Sequence, residues 1–304
     1  MISFRYHIVS IVAVFLALAL GIVVGTTALN GPITKDLRRQ VNDAKDQRDA
    51  LAAQVKVLQG QVDDAGQFAA TYGDQLVASS LKSQNVVEVV LPGATNEMQD
   101  GIAREVAAGG GNVSGRISLT KTYLDPAHGS GIVSLVTTAH PIGWTAPETN
   151  DAAALGGSLL AYVLLGQGSQ TDLTQVLAQF SALHMVESDG QTITPSKTVV
   201  VIGHGTMDAK DYTGQAELAL VSALAKAGGH VVVAGDSESA TGGGLVSLVR
   251  KSNTENAVVS TVDNADNAAG QVSAVLALAG AAKGQVGHYG TGQGADSLYP
   301  APSK

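Results

Sequence analysis

Apolar and polar positions follow three different periods along this chain. Residues 8–29 are almost all apolar, and 8–24 carry no charge. From Leu37 to Leu76 apolar side chains recur at alternating spacings of four and three. From Asn85 onward, short apolar runs alternate with longer amphipathic stretches. These periods predict a membrane-spanning helix, a coiled-coil helix and an α/β domain, in that order.

About 20 apolar residues cross a bilayer core as a helix, so residues 8–29 are long enough for a single-pass anchor. A secretory signal peptide is the alternative. Its apolar region usually runs about 7–15 residues and ends in a small-x-small site, whereas GTTALNG follows here. Ala13, Ala17, Gly21 and Gly25 recur every fourth residue and share one stripe of the helix, where small residues let two backbones approach closely. Arg5 precedes the run, while Lys35, Arg38 and Arg39 follow it. Counted alone, these favour a cytoplasmic C-terminal side, but large domains are translocated regardless of flanking charge. The expected arrangement therefore keeps residues 1–7 inside and the C-terminal domain extracytoplasmic.

The seam of the second segment is Leu37, Val41, Ala44, Arg48, Leu51, Val55, Leu58, Val62, Ala65, Ala69, Tyr72 and Leu76. A 3.5-residue period sustained over more than five heptads is the pattern of a coiled coil. Arg48, the one charged seam residue, is of the kind that sets register or oligomer state. The flanking positions are polar, among them Asp36, Gln40, Asp43, Asp46, Gln54 and Lys56. A helix over 33–81 would carry the seam along roughly 60 Å at 1.5 Å per residue. The expectation is a homodimer through this coil; one long helix folded back on its own domain is the other reading.

Residues 84–283 read as a doubly wound, Rossmann-like parallel-sheet domain. Strands are expected at 85–91, 113–119, 198–202, 230–234 and 257–260, with a short one at 184–187. Helices are expected at 95–108, 131–138, 151–165, 171–183, 212–227, 243–250 and 264–282. Alternating strands and helices pack as a parallel sheet covered on both faces. Residues 284–304, rich in Gly, Ser and Pro, are expected to pack poorly.

Composition narrows the chemistry. The 304 residues include 36 glycines and no cysteine, with a formal net charge of −8. Without cysteine there are no disulfides, zinc–thiolate centres or thiol nucleophiles. The acidic balance and the lack of basic clusters argue against nucleic acid. The dinucleotide fingerprint G-x-G-x-x-G is absent, since PGATNE and GHGTMD follow the relevant strands. So is the phosphate loop GxxxxGK[ST], and no G-x-S-x-G nucleophile elbow occurs. No catalytic or cofactor-binding residue is predicted. Asp236 after a strand reads as a turn or cap residue before it reads as a functional carboxylate. Soft ligands select Cu(I), but methionines stand only at 1, 98, 185 and 207. His204 with Met207 and His184 beside Met185 are the local pairs, both read as incidental, and no metal ligand is assigned.

Two stretches carry a specific resemblance: MISFRYHIVSIVAVFLALALGIVVG at the N-terminus and GHYGTGQGA at 287–295. With the intervening coil and α/β domain, the whole chain resembles the actinobacterial copper transporter family, MctB-like. The resemblance implies a non-enzymatic envelope protein of copper efflux or homeostasis, described as a pore of the mycobacterial outer membrane, with copper as the transported ion. Similar proteins are also described as SteB-type coiled-coil envelope factors. That description implies a second membrane protein as partner and activation of a peptidoglycan hydrolase. A pore needs several spanning helices or a closed barrel. One spanning run with strands alternating with helices fits an anchored scaffold better.

Overall fold

The computed structural model describes residues 4–205 and 212–301, with side chains throughout except at 26–34. The chain divides into two compact units at Asp63/Asp64. A single helix, α1 (Phe4–Val77), runs through the first and into the second. Its segment Phe4–Gly25 is long and apolar enough to cross a membrane.

The second unit contains a seven-stranded sheet in the order β3-β2-β1-β4-β5-β6-β7. The strands are β1 (Asn85–Val90), β2 (Asn112–Leu119), β3 (Val186–Ser188), β4 (Thr198–Ile202), β5 (His230–Ala234), β6 (Ser260–Val262) and β7 (His288–Tyr289). Apart from β3 they pair in parallel. The order 3-2-1-4-5-6 is that of the doubly wound fold, with its switch point between β1 and β4. Its central strands β4 and β5 carry unbroken Val or Val-Ile runs, and β1 a Val run interrupted only by Glu88, because both faces are buried. On one face Val87, Val89, Val199, Val201, Val231 and Val233 meet α4 (Gly129–Thr138), α5 (Ala152–Leu164), α6 (Gln170–Ala182) and α7 (Tyr212–Lys226). On the other, Val86, Val90, Val200, Ile202 and Val232 meet α2 (Asn96–Ala108), α9 (Ala268–Ala281) and the end of α1. Two further helices are α3 (Lys121–Leu124) and α8 (Leu245–Lys251). The sheet is thus mixed α/β and mostly parallel, as expected.

Four departures have identifiable physical causes. The strand expected at 257–260 begins at Ser260, because the Glu255 carbonyl accepts from the amides of Val258 and Val259 and closes a 3-10 turn. The short strand near 184–187 runs antiparallel to β2. There α6 ends in a Schellman motif with His184 at φ 55°: Met185 N–H donates to Phe180 O and His184 N–H to Ser181 O. The chain therefore turns straight from the helix onto the sheet edge. The segment after 283 is packed rather than loose, since β7 joins β6 and Gly287, His288 and Gly290 are buried.

The fourth departure lies in α1. Gly66, Ala69, Gly73 and Val77, spaced three and four apart, form the face turned into the α/β domain. Gly73 allows this close approach, since a Cβ there would stand 2.8 Å from Val272 Cγ2. Ala65, Tyr72 and Leu76 of the heptad seam remain exposed, while Ala69 is buried within the chain's own domain. The last turns of α1 thus pack on the domain they lead into. Leu37, Val41, Ala44, Arg48, Leu51, Val55, Leu58 and Val62 are all exposed. A coiled coil needs a second helix, and one chain does not confirm it.

Candidate functional site at the carboxyl edge of the sheet

Open parallel sheets offer their sites beyond the carboxyl ends of the strands, at the switch point. Here β1 runs into Pro92-Gly93, β4 into Gly203-His204-Gly205, and β5 into Gly235-Asp236. His204 Nδ1 lies 2.9 Å from Asp236 Oδ2. The Gly205 amide donates to both Asp236 oxygens, at 2.9 and 3.0 Å, and the Ser239 amide to Oδ1 at 2.9 Å. Asp236 also caps the 3-10 turn Ser237–Ala240. Its carboxylate is therefore committed to holding two loops together, the capping role read from sequence. The His204 ring covers Gly93, at φ 94°, where a Cβ would fall 2.4 Å from His204 Cδ2. Met207, the expected neighbour of His204, lies outside the described residues.

A second constellation, unassigned from sequence, sits where β6 ends. Asp263 is fully buried and receives Arg250 Nη1 at 2.7 Å, the Thr291 amide at 2.9 Å and the Gly292 amide at 2.8 Å. Arg250 extends to Thr261 Oγ1 at 2.8 Å, Tyr289 O at 2.8 Å and Gln293 O at 3.2 Å. The GHYGTGQGA stretch thus wraps a buried ion pair. Gly290, at φ 124°, permits it, because a Cβ there would lie 1.9 Å from Asp263 Oδ1. Mis-setting β6 by three residues hid this site. Asp263 directly follows the observed strand, which ends at Val262 rather than at Ser260.

His288, within that stretch, is structural. Arg250 Nε–H donates to Thr261 Oγ1, which leaves the Thr261 hydroxyl to donate to His288 Nδ1 at 3.0 Å. His288 Nε2 then donates to Asn256 O at 3.1 Å. With the ring neutral, every donor in this chain meets an acceptor. Burial pushes the His288 pKa below its ordinary 6.5, against the opposing Asn256 bond. Because the folded ring resists protonation, the unfolded chain binds more protons as pH falls below about 6.5. Stability of this region is therefore expected to drop through that range, and amide exchange over 284–297 should rise. A His288→Gln variant should lose that pH dependence; an unchanged profile would refute the assignment.

Other expected residues are placed as follows. Ala13, Ala17, Gly21 and Gly25 lie on one stripe of α1, and a Cβ on Gly21 or Gly25 would meet nothing within 4 Å. Met98 and Met185 are buried in the core, while His184 beside Met185 is exposed. That pair cannot converge on one ion. Among the described residues no group of three or more His, Cys, Asp or Glu is placed to hold a metal. Glu88, fully buried on β1, pairs at 2.6 Å with its register neighbour Arg116 on β2, whose side chain stays partly exposed.

The comparisons cover the whole of this architecture. A family model described as "Copper transport outer membrane protein, MctB" matches residues 1–300. Copper transporter MctB of Mycobacterium tuberculosis and that of Mycobacterium bovis are each 29% identical over 310 residues, covering 98% of this chain and 99% of theirs. Copper transporter MctB of Mycobacterium leprae is 30% identical over 326 residues, with the same coverage. With its apolar N-terminal helix, its parallel sheet and the wrapped ion pair near its C-terminus, the chain belongs to the MctB family.

Proposed function

We propose that this protein is a non-enzymatic, single-pass envelope protein acting in copper efflux or homeostasis, with copper as substrate rather than resident cofactor. The full-length match to MctB transporters, which includes the anchor segment, carries the reading. The absence of any cysteine favours an indirect handling of copper or a weak transit site. Disrupting the gene should raise cell-associated copper and lower the copper concentration that arrests growth, and the intact gene should reverse both. Unchanged copper content and tolerance would end the proposal.

A second reading concerns how it works. The exposed seam from Leu37 to Val62 favours a parallel homodimer, with Ala13, Ala17, Gly21 and Gly25 packing the anchors together. Such a coil offers a groove to a further membrane protein or to a peptidoglycan hydrolase. Planar-bilayer conductance of the purified full-length protein separates this scaffold from a pore. A scaffold leaves the bilayer silent at protein levels where a porin conducts; reproducible channels would favour the pore.

A further inference from the structure

The end of α1 is seated over a buried acid. Glu105, on α2, is 3% exposed, and its Oε2 accepts no hydrogen bond among the described residues. Its Oε1 lies 3.6 Å from Arg104 Nε. Arg104 is mostly exposed and also donates from Nη2 to Gln271 Oε1 at 3.3 Å, so solvent screens its charge and a second acceptor shares it. From α1, Gly73 closes over the carboxyl group, where a Cβ would come within 3.3 Å of Oε2. The neighbouring Asp74 adds a like charge from the same helix. Gln271 and Val272, the α9 side chains that meet this cluster, are neutral.

A carboxylate with one oxygen buried and unpartnered is strongly disfavoured, whereas the neutral acid is tolerated. We propose that Glu105 is a proton-operated clasp: as the neutral acid it lets the end of α1 seat on α2 and α9, and as the carboxylate it loosens that contact. The clasp would make the seating of the end of α1 on α2 and α9 respond to the pH around this domain. Desolvation first, and Asp74 second, push the carboxyl above its ordinary 4.5, with Arg104 opposing. A raised folded value means the seated state binds the extra proton. Seating is therefore complete below about 4.5 and is lost as pH rises through the raised value.

The test is amide exchange of the full-length chain in lipid nanodiscs across pH 5 to 8, corrected for the intrinsic pH dependence of exchange. Protection of peptides covering 66–80 should fall by roughly threefold or more as pH rises, and should stay level in Glu105→Gln. Asp74→Asn, which keeps Glu105 but removes the like charge, should move the transition to lower pH. A level profile in the wild type, an equal fall in Glu105→Gln, or an unmoved transition in Asp74→Asn each overturns the clasp. Peptides over 284–297, which carry His288, change in the opposite sense and serve as the internal contrast.

Discussion

Replacing Asp263 with Asn is expected to cost the α/β domain about 3–5 kcal/mol, the usual penalty for breaking a buried ion pair from one side. Arg250 is nearly inaccessible, and its guanidinium would keep its charge with only neutral acceptors around it. The change also weakens the acceptor for the Thr291 and Gly292 amides. Against a total stability of about 5–15 kcal/mol for an ordinary domain, this is about a fifth or more. The chain has one tryptophan, Trp144, buried in the same domain, so urea unfolding followed by its fluorescence reads the domain selectively. Replacing both charges, as Arg250→Met with Asp263→Leu, should recover much of the loss, because the unpaired charge is what costs most. A loss below about 1 kcal/mol for Asp263→Asn would show that the pair contributes little.

The second large effect concerns the seam. In a parallel dimer, Leu51→Asp with Leu58→Asp removes four buried leucines, two from each copy. At about 1.5–3 kcal/mol for each leucine, the dimer loses at least about 6 kcal/mol. That is roughly four powers of ten in dissociation constant. The absence of native cysteine makes the measurement clean. Val55→Cys, on the seam, should cross-link between copies in membranes, and Lys56→Cys, off it, should cross-link far less. Adding the two aspartates should abolish the Val55→Cys product. Equal cross-linking from both positions, or cross-linking that survives the aspartates, would remove the coiled-coil dimer. The exposure of Leu51 and Leu58 in the single chain, 61% and 59%, is what makes the test sharp. They have little burial within the chain to lose.

Much of the architecture was legible because it depends on neighbours in sequence. The unbroken apolarity up to Gly25 and the Val-rich runs of β1, β4 and β5 each express one local period. Thr95 as the cap of α2, and the glycines ending that helix, are equally local. The alternation of strand and helix then left few topologies, and the doubly wound order is among them.

What the tertiary structure decided involves residues far apart in sequence or signals that no local rule carries. His184 closes a helix in the left-handed region, where glycine is the usual residue. The seam period continues to Leu76, yet the packed face of α1 shifts to Gly66, Ala69, Gly73 and Val77, because α2 and α9 offer a surface only there. Glycines at 287, 290 and 292 read as looseness in one dimension. They are close-approach positions once Asp263 and Arg250 stand beneath them. Local free energies set which segments become helix or strand. Which charges are buried, and which glycines are needed to bury them, follows from desolvation, and that exists only after distant segments have excluded water together.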